Sequence, residues 1–156
     1  MPPIDDHDLH RASDDGMSLP PGLAVKPTIA QLAAALIAVF EGPECLQAFQ
    51  DGGGIWTIGR GHTRGVVAGM TCTHAQALAW FAQDQMRLLA MVEGLPLLAA
   101  AAYVSFGYNC GFGALHLVLD QHDTISNPVH TTDRHGNIEN GLVSRRLLER
   151  LLIDAA

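Results

Sequence analysis

Charge is scarce in this 156-residue chain: 16% of residues are Asp, Glu, Lys or Arg, and 9 basic residues face 16 acidic ones. The net charge of −7, with histidine neutral, leaves no basic face for a nucleic acid and no polybasic patch for a membrane surface. Cysteine is sparse and odd in number: Cys45, Cys72 and Cys110, with no CxxC pair. A disulfide scaffold would be shorter and carry an even set, so free, partly buried thiols are expected. Long apolar runs are missing too. The stretch Ile29 to Phe40 is interrupted by Gln31 and is too short to span a bilayer, so no stable membrane insertion is expected. Met1 to Asp8 is acidic and lacks the basic and apolar regions of a secretory signal, which points to synthesis in the cytoplasm.

What remains is a chain with 48% hydrophobic residues, enough for one globular domain with a real core. Residues 1 to 26 stand apart, with five aspartates against Arg11 and Lys26 and prolines at 2, 3, 20 and 21. Such a segment buries little and is expected to be a flexible acidic tail. His7 and His10 with Asp5 or Asp8 form a conceivable metal set there, but an acidic solvated tail is the better reading. The folded domain then covers 27–156.

Ile29, Leu32, Ala33, Leu36, Ile37 and Phe40 recur at helical spacing, predicting an amphipathic helix over 28–41 that ends on Glu41 before Gly42-Pro43. From Leu46 to Thr63, short β-prone runs are punctuated by glycines at 52, 53, 54, 59 and 61, the pattern of a small antiparallel hairpin. Thr73-x-x-Gln76 is a capping box opening a helix to about Val92. Leu97 to Asn109 is apolar on nearly every side and should be a buried central helix. A short helix is expected over 114–120, a long polar loop with a turn or two of structure over 121–141, and a last helix over Leu142 to Ile153. In that last helix Leu142, Leu147, Leu148, Leu151 and Leu152 are expected inward, and Arg145, Arg146 and Arg150 outward. Histidines 116, 122, 130 and 135 lie in or near the polar loop. Their spacing matches no closed zinc site, so no metal is expected there.

Glu41, Asp51 and Thr57 are the informative constellation. A carboxyl closing an apolar helix is partly desolvated, which disfavours its charged form, as a general acid requires. Asp51 sits among glycines in a polar turn, where its charge is solvated. Two carboxyls in unequal surroundings are what glycoside hydrolysis uses. Thr57 adds a hydroxyl able to hold a water.

The whole string FEGPECLQAFQDGGGIWTIGRGHT, residues 40–63, resembles the signature of phage-type lysozymes: Glu-Gly, then Leu-x-Ala-aromatic-x-Asp, then Gly-x-aromatic-Thr-Ile-Gly-x-Gly-His. The resemblance continues through the Thr73-capped helix, SFGYNCG at 105–111 and GLVSRRLLE at 141–149, and so covers about 28 to 153. It implies an α+β, lysozyme-like fold, with a small β-hairpin lobe, a mainly helical lobe and a cleft between them. It implies a peptidoglycan hydrolase in which Glu41 is the catalytic acid and Asp51 and Thr57 position the attacking water. Thr63 and Tyr108 match positions lining the sugar cleft, and His62 matches a structural histidine. The implied partner is bacterial peptidoglycan, met by a monomer that a holin-type pore releases to the wall; no metal or organic cofactor is implied. The chain has one residue more between Glu41 and Asp51 than the family's usual spacing. That makes Glu44 a rival acid, though without the apolar helix behind it. It is also acidic without its tail, residues 27–156 carrying 11 acids against 7 arginines, so attraction to an anionic wall is expected to be weak. A lytic transglycosylase and a non-catalytic wall-binding module are the rival functions; the presence of both Asp51 and Thr57 disfavours the first, and the intact set of Glu41, Asp51 and Thr57 in a small chain disfavours the second.

Overall fold

The computed structural model describes residues 26–133 and 135–156, so the aspartates and histidines of the acidic tail lie outside the described residues. The elements, in chain order, are α1 (Ile29–Glu41), β1 (Cys45–Gln50), β2 (Trp56–Gly59), α2 (His74–Met91), α3 (Leu97–Cys110), α4 (Phe112–Leu119), a 3-10 turn (Pro128–Thr131) and α5 (Asn140–Asp154). This is the expected α+β arrangement of one small hairpin and a helical lobe.

Local chemistry explains where the elements begin. Thr28 and Thr73 each accept a hydrogen bond from the backbone of the residue three on, while Gln31 and Gln76 bond back to the cap. Two otherwise orphaned amide groups are satisfied at each helix start. In the hairpin, Phe49 pairs with Thr57 and Gln50 with Trp56, with an irregularity before Cys45 meets Gly59. β1 is bound on its other side by the chain near Thr71, where Leu46 and Ala48 exchange backbone hydrogen bonds with Cys72 and Met70.

α3 is the hub, packed by α1, α2, α4 and α5. Ala99 to Ala102 and Val104 to Gly107 are all buried, and small side chains let the neighbours approach closely. Gly107 shows the limit: a Cβ there would stand 2.8 Å from side-chain atoms of both Leu88 and Leu115. Phe106, Ile37, Leu115 and Val92 are among the largest fully buried side chains.

Two expectations need correction. The inward face of α5 is not the leucine stripe: Arg145, Arg146 and Glu149 are buried, while Leu147 and Leu151 are 61% and 57% exposed. Leu142, Leu148 and Leu152 are half-buried, and Arg150 is exposed as expected, pairing with Asp154. The polar stripe faces in because α3 offers it partners, described below, which a leucine stripe would leave unsatisfied. The segment 121–141 is also more than a solvated loop. Ile125 is buried, His130 packs edge-on against Phe106, and its Nε2 lies 2.9 Å from the Asp123 carboxylate.

Candidate active site

The five residues singled out in the sequence come together: Glu41, Asp51, Thr57, Thr63 and Tyr108 line one cavity of about 310 Å³. They arrive from element ends and edges. Glu41 is the last residue of α1, Asp51 follows β1, Thr57 lies in β2, Thr63 follows the Ile58–His62 bridge, and Tyr108 is in the last turn of α3.

Glu41 keeps 26% of its side chain exposed, and its Oε1 accepts from Arg145 Nη1 at 2.6 Å. This guanidinium, expected in solvent, is the main group sequence reasoning missed. It stands over the Phe40 ring, donates through Nη2 to the Ser105 carbonyl at 3.0 Å, and donates through Nε to Glu149 Oε1 at 3.2 Å. Glu149 is fully buried. It also accepts from the Ser105 hydroxyl at 2.6 Å and pairs with Arg146 Nε at 3.1 Å. Burial pushes the Glu149 carboxyl upward, and Arg146, Ser105 and Arg145 oppose that push. The spacing of Arg145 and Glu149 is that of an ordinary surface pair on a helix. Only the fold, which places Glu41 opposite, shows it to be interior.

Asp51 is held by its own turn. Its Oδ1 accepts from the Gly53 and Ile55 amides at 2.8 and 2.9 Å, and among the described residues no hydrogen bond is made to Oδ2. Thr57 is buried, and its hydroxyl donates to the Ile55 carbonyl at 3.1 Å. With its one proton committed, that oxygen can only accept from anything in the cavity. Tyr108 donates to the Arg60 carbonyl at 2.8 Å, and burial, with the charges of Asp84 and Glu41, pushes its phenol well up. It therefore stays a donor and fastens the hairpin to α3. Gly61, beside it, has φ +109°, a conformation that favours glycine.

His62 bridges the lobes as expected of a structural residue. Its Nδ1 lies 2.8 Å from Asp84 of α2, its Nε2 lies 3.0 Å from the Arg64 carbonyl, and its ring stacks on Trp80. Glu44, the rival acid, is outside the cavity lining. It is engaged by His74, with Arg60 4.0 Å away. Among the described residues no group of three or more His, Cys, Asp or Glu is placed to hold a metal, and Cys45, Cys72 and Cys110 are free thiols. Nor is any helix among them long and apolar enough to cross a membrane.

The chain matches the phage lysozyme family profile over residues 38–149. Among solved structures, an endolysin from Escherichia coli O157:H7 phage FAHEc1 is 27% identical, with TM-score 0.64 over 84% of this chain and 96% of that one. The muramidase domain of SpmX from Asticaccaulis excentricus is 26% identical, with TM-score 0.63 over 81% and 97%. The active form of P1 phage endolysin Lyz is 23% identical, with TM-score 0.63 over 80% and 84%, a likeness of fold. No curated protein sequence matches the chain. The profile match over most of the domain places the chain in the phage lysozyme family, a family of peptidoglycan hydrolases acting on the cell wall.

Proposed function

We propose that the protein is a muramidase that hydrolyses the β-1,4 bond between N-acetylmuramic acid and N-acetylglucosamine. The observation that carries this reading is the complementary set of free valences around one cavity. Arg145 occupies Glu41 Oε1, so a catalytic proton on Glu41 sits on Oε2, from which it passes to the leaving glycosidic oxygen. Asp51 Oδ2 and the Thr57 oxygen offer only acceptors. A water donating its two protons to them turns a lone pair toward the anomeric carbon, and Asp51 takes up the proton as the carbon–oxygen bond forms. The cavity of about 310 Å³ far exceeds the ~30 Å³ that one water occupies. Glu41 and Asp51 have separate protein partners, which supports attack by a free water with inversion at the sugar.

Action as a monomer belongs to the same proposal and rests on the family resemblance. Synthesis in the cytoplasm and release through a holin-type pore follow from the family resemblance and complete the proposal. The test is mass spectrometry of soluble products from purified peptidoglycan, using wild type beside Glu41→Gln. Reducing N-acetylmuramic acid ends from wild type, reduced about 10²–10⁴-fold in the variant, are expected. Anhydro ends would instead make it a transglycosylase, and a covalent sugar adduct on Asp51 would overturn inversion. Wall binding without products from either protein would make it a non-catalytic module.

A further inference from the structure

Beside the reaction cavity lies a second chamber of about 230 Å³, and Gly61, Thr63 and Tyr108 line both. Its walls bring together Arg64, on the loop after His62, and Arg87, on the outer face of α2. The disposition of arginine elsewhere makes this pair unusual. Arg145 and Arg146 are consumed by Glu41 and Glu149, Arg150 by Asp154, and Arg60 lies beside Glu44. Among the arginines whose positions are described, Arg64 and Arg87 are the two with no carboxylate partner, and both open into the same chamber. Arg87 is steadied by the Phe112 ring, 4.7 Å below its guanidinium. Asp84 lines the chamber as well, but its Oδ2 is held by His62 at 2.8 Å.

Neutral sugar rings have no use for two unpaired guanidiniums. Planar forked donors match carboxylates, which they bind in bidentate fashion. We infer that Arg64 and Arg87 form a carboxylate-recognition site flanking the glycan cleft. It takes the free carboxylates of the peptide carried on each muramic acid and so favours free-acid over amidated substrate. This deepens the proposed muramidase function and rests on it for the identity of the glycan. Thr63 and Tyr108 line both chambers, so the shared edge is where a substituent projecting sideways from a bound sugar meets the arginines.

The test measures binding rather than turnover, on Glu41→Gln protein, with two probes. One is a muramyl disaccharide–tetrapeptide with free carboxylates, the other the same molecule with its carboxylates amidated. The free-acid probe is expected to bind about tenfold tighter at low salt, the ratio shrinking toward one as ionic strength rises to ~0.5 M. Adding Arg64→Gln and Arg87→Gln is expected to bring the ratio to within about twofold, while Arg64→Lys with Arg87→Lys keeps part of it. Thermal unfolding of each variant establishes that it is folded. Equal Kd values for the two probes, no saturable binding of either, or a ratio indifferent to salt or to the Gln pair would overturn the inference. Its failure is separable from that of the hydrolase reading: wild type yielding muramidase products with a ratio of one sinks only the site. A salt-sensitive ratio on a protein that cleaves nothing sinks only the hydrolase.

Discussion

At the scale of single residues, the cavity depends on which valences are already spent. Thr57 gives its proton to Ile55, so its contribution to a water is a lone pair and nothing else. Thr57→Val keeps the shape and removes that acceptor. On the proposed mechanism it is expected to lower kcat about 100-fold with KM within about threefold, because that mechanism uses Thr57 only to align the nucleophile. Thr57→Ser should restore most of the rate, and steady-state kinetics on a soluble glycan fragment would read both. Glu149 is the opposite case, a residue whose work is structural. It neutralises Arg145 and Arg146 in the interior, and truncating it leaves the buried Arg146 without a carboxylate and Arg145 with Glu41 alone. Glu149→Ala is expected to cost about 3–5 kcal/mol in urea unfolding. A loss below about 1 kcal/mol would mean that water reaches the cluster and that Arg145 is not fixed against Glu41. Glu41, Asp51 and Thr57 were legible in the sequence because their spacing is a local string. Arg145 was not, because its partner lies 104 residues upstream and no local pattern reports a contact of that range.

At the scale of elements, what could be read was what short-range chemistry decides. The Thr73–Gln76 capping box starts α2 where expected, and the glycine-punctuated run folds into the two-stranded hairpin. The facing of α5 could not be read. The helix carries two stripes, one of leucines and one of Arg145, Arg146 and Glu149, and periodicity alone favours burying the leucines. Ser105 and Asn109 on α3 bind the charged stripe and reverse that choice. The segment 121–141 misled for a related reason. Its polar residues are turned on the segment itself: Asp123 accepts from Asn127, Thr124 and His130, and Asp133 from Asn137 and His135. The Asn127 side chain and Thr124 amide hold the Asp123 carboxyl below the usual aspartate range, and Asn137 does the same for Asp133. A depressed folded-state pKa gives stability that is present above the unfolded value of about 4 and lost as pH falls through the folded one. Thermal unfolding midpoints should therefore drop on acidification below about pH 4, and the drop should be shallower in Asp123→Asn/Asp133→Asn. An equal slope in both proteins would mean that these turns contribute nothing to the acid limb.

For the whole molecule, fold and charge act on different steps. The fold ties two lobes across the cleft through Tyr108 to the Arg60 carbonyl and His62 to Asp84, and these contacts hold the cavity's walls together. The charge works against the arrival of substrate. Residues 27–156 carry 11 acids against 7 arginines, and the described arginines other than Arg64 and Arg87 lie beside carboxylates. At a distance the protein presents a negative field to an anionic wall, and encounter is slowed where it would be steered for a basic protein. Screening removes a repulsion as readily as an attraction, and its reach falls from about 20 Å to about 8 Å between ~0.02 and ~0.15 M salt. The initial rate of wall solubilisation is therefore expected to rise about two- to fivefold over that range, measured by turbidity on purified sacculi at limiting substrate. A rate that falls instead would mean that local attraction by Arg64 and Arg87 governs encounter, overriding the net charge. A rise in encounter together with a fall in carboxylate discrimination would assign the two signs of charge to two steps, approach and selection, on one surface.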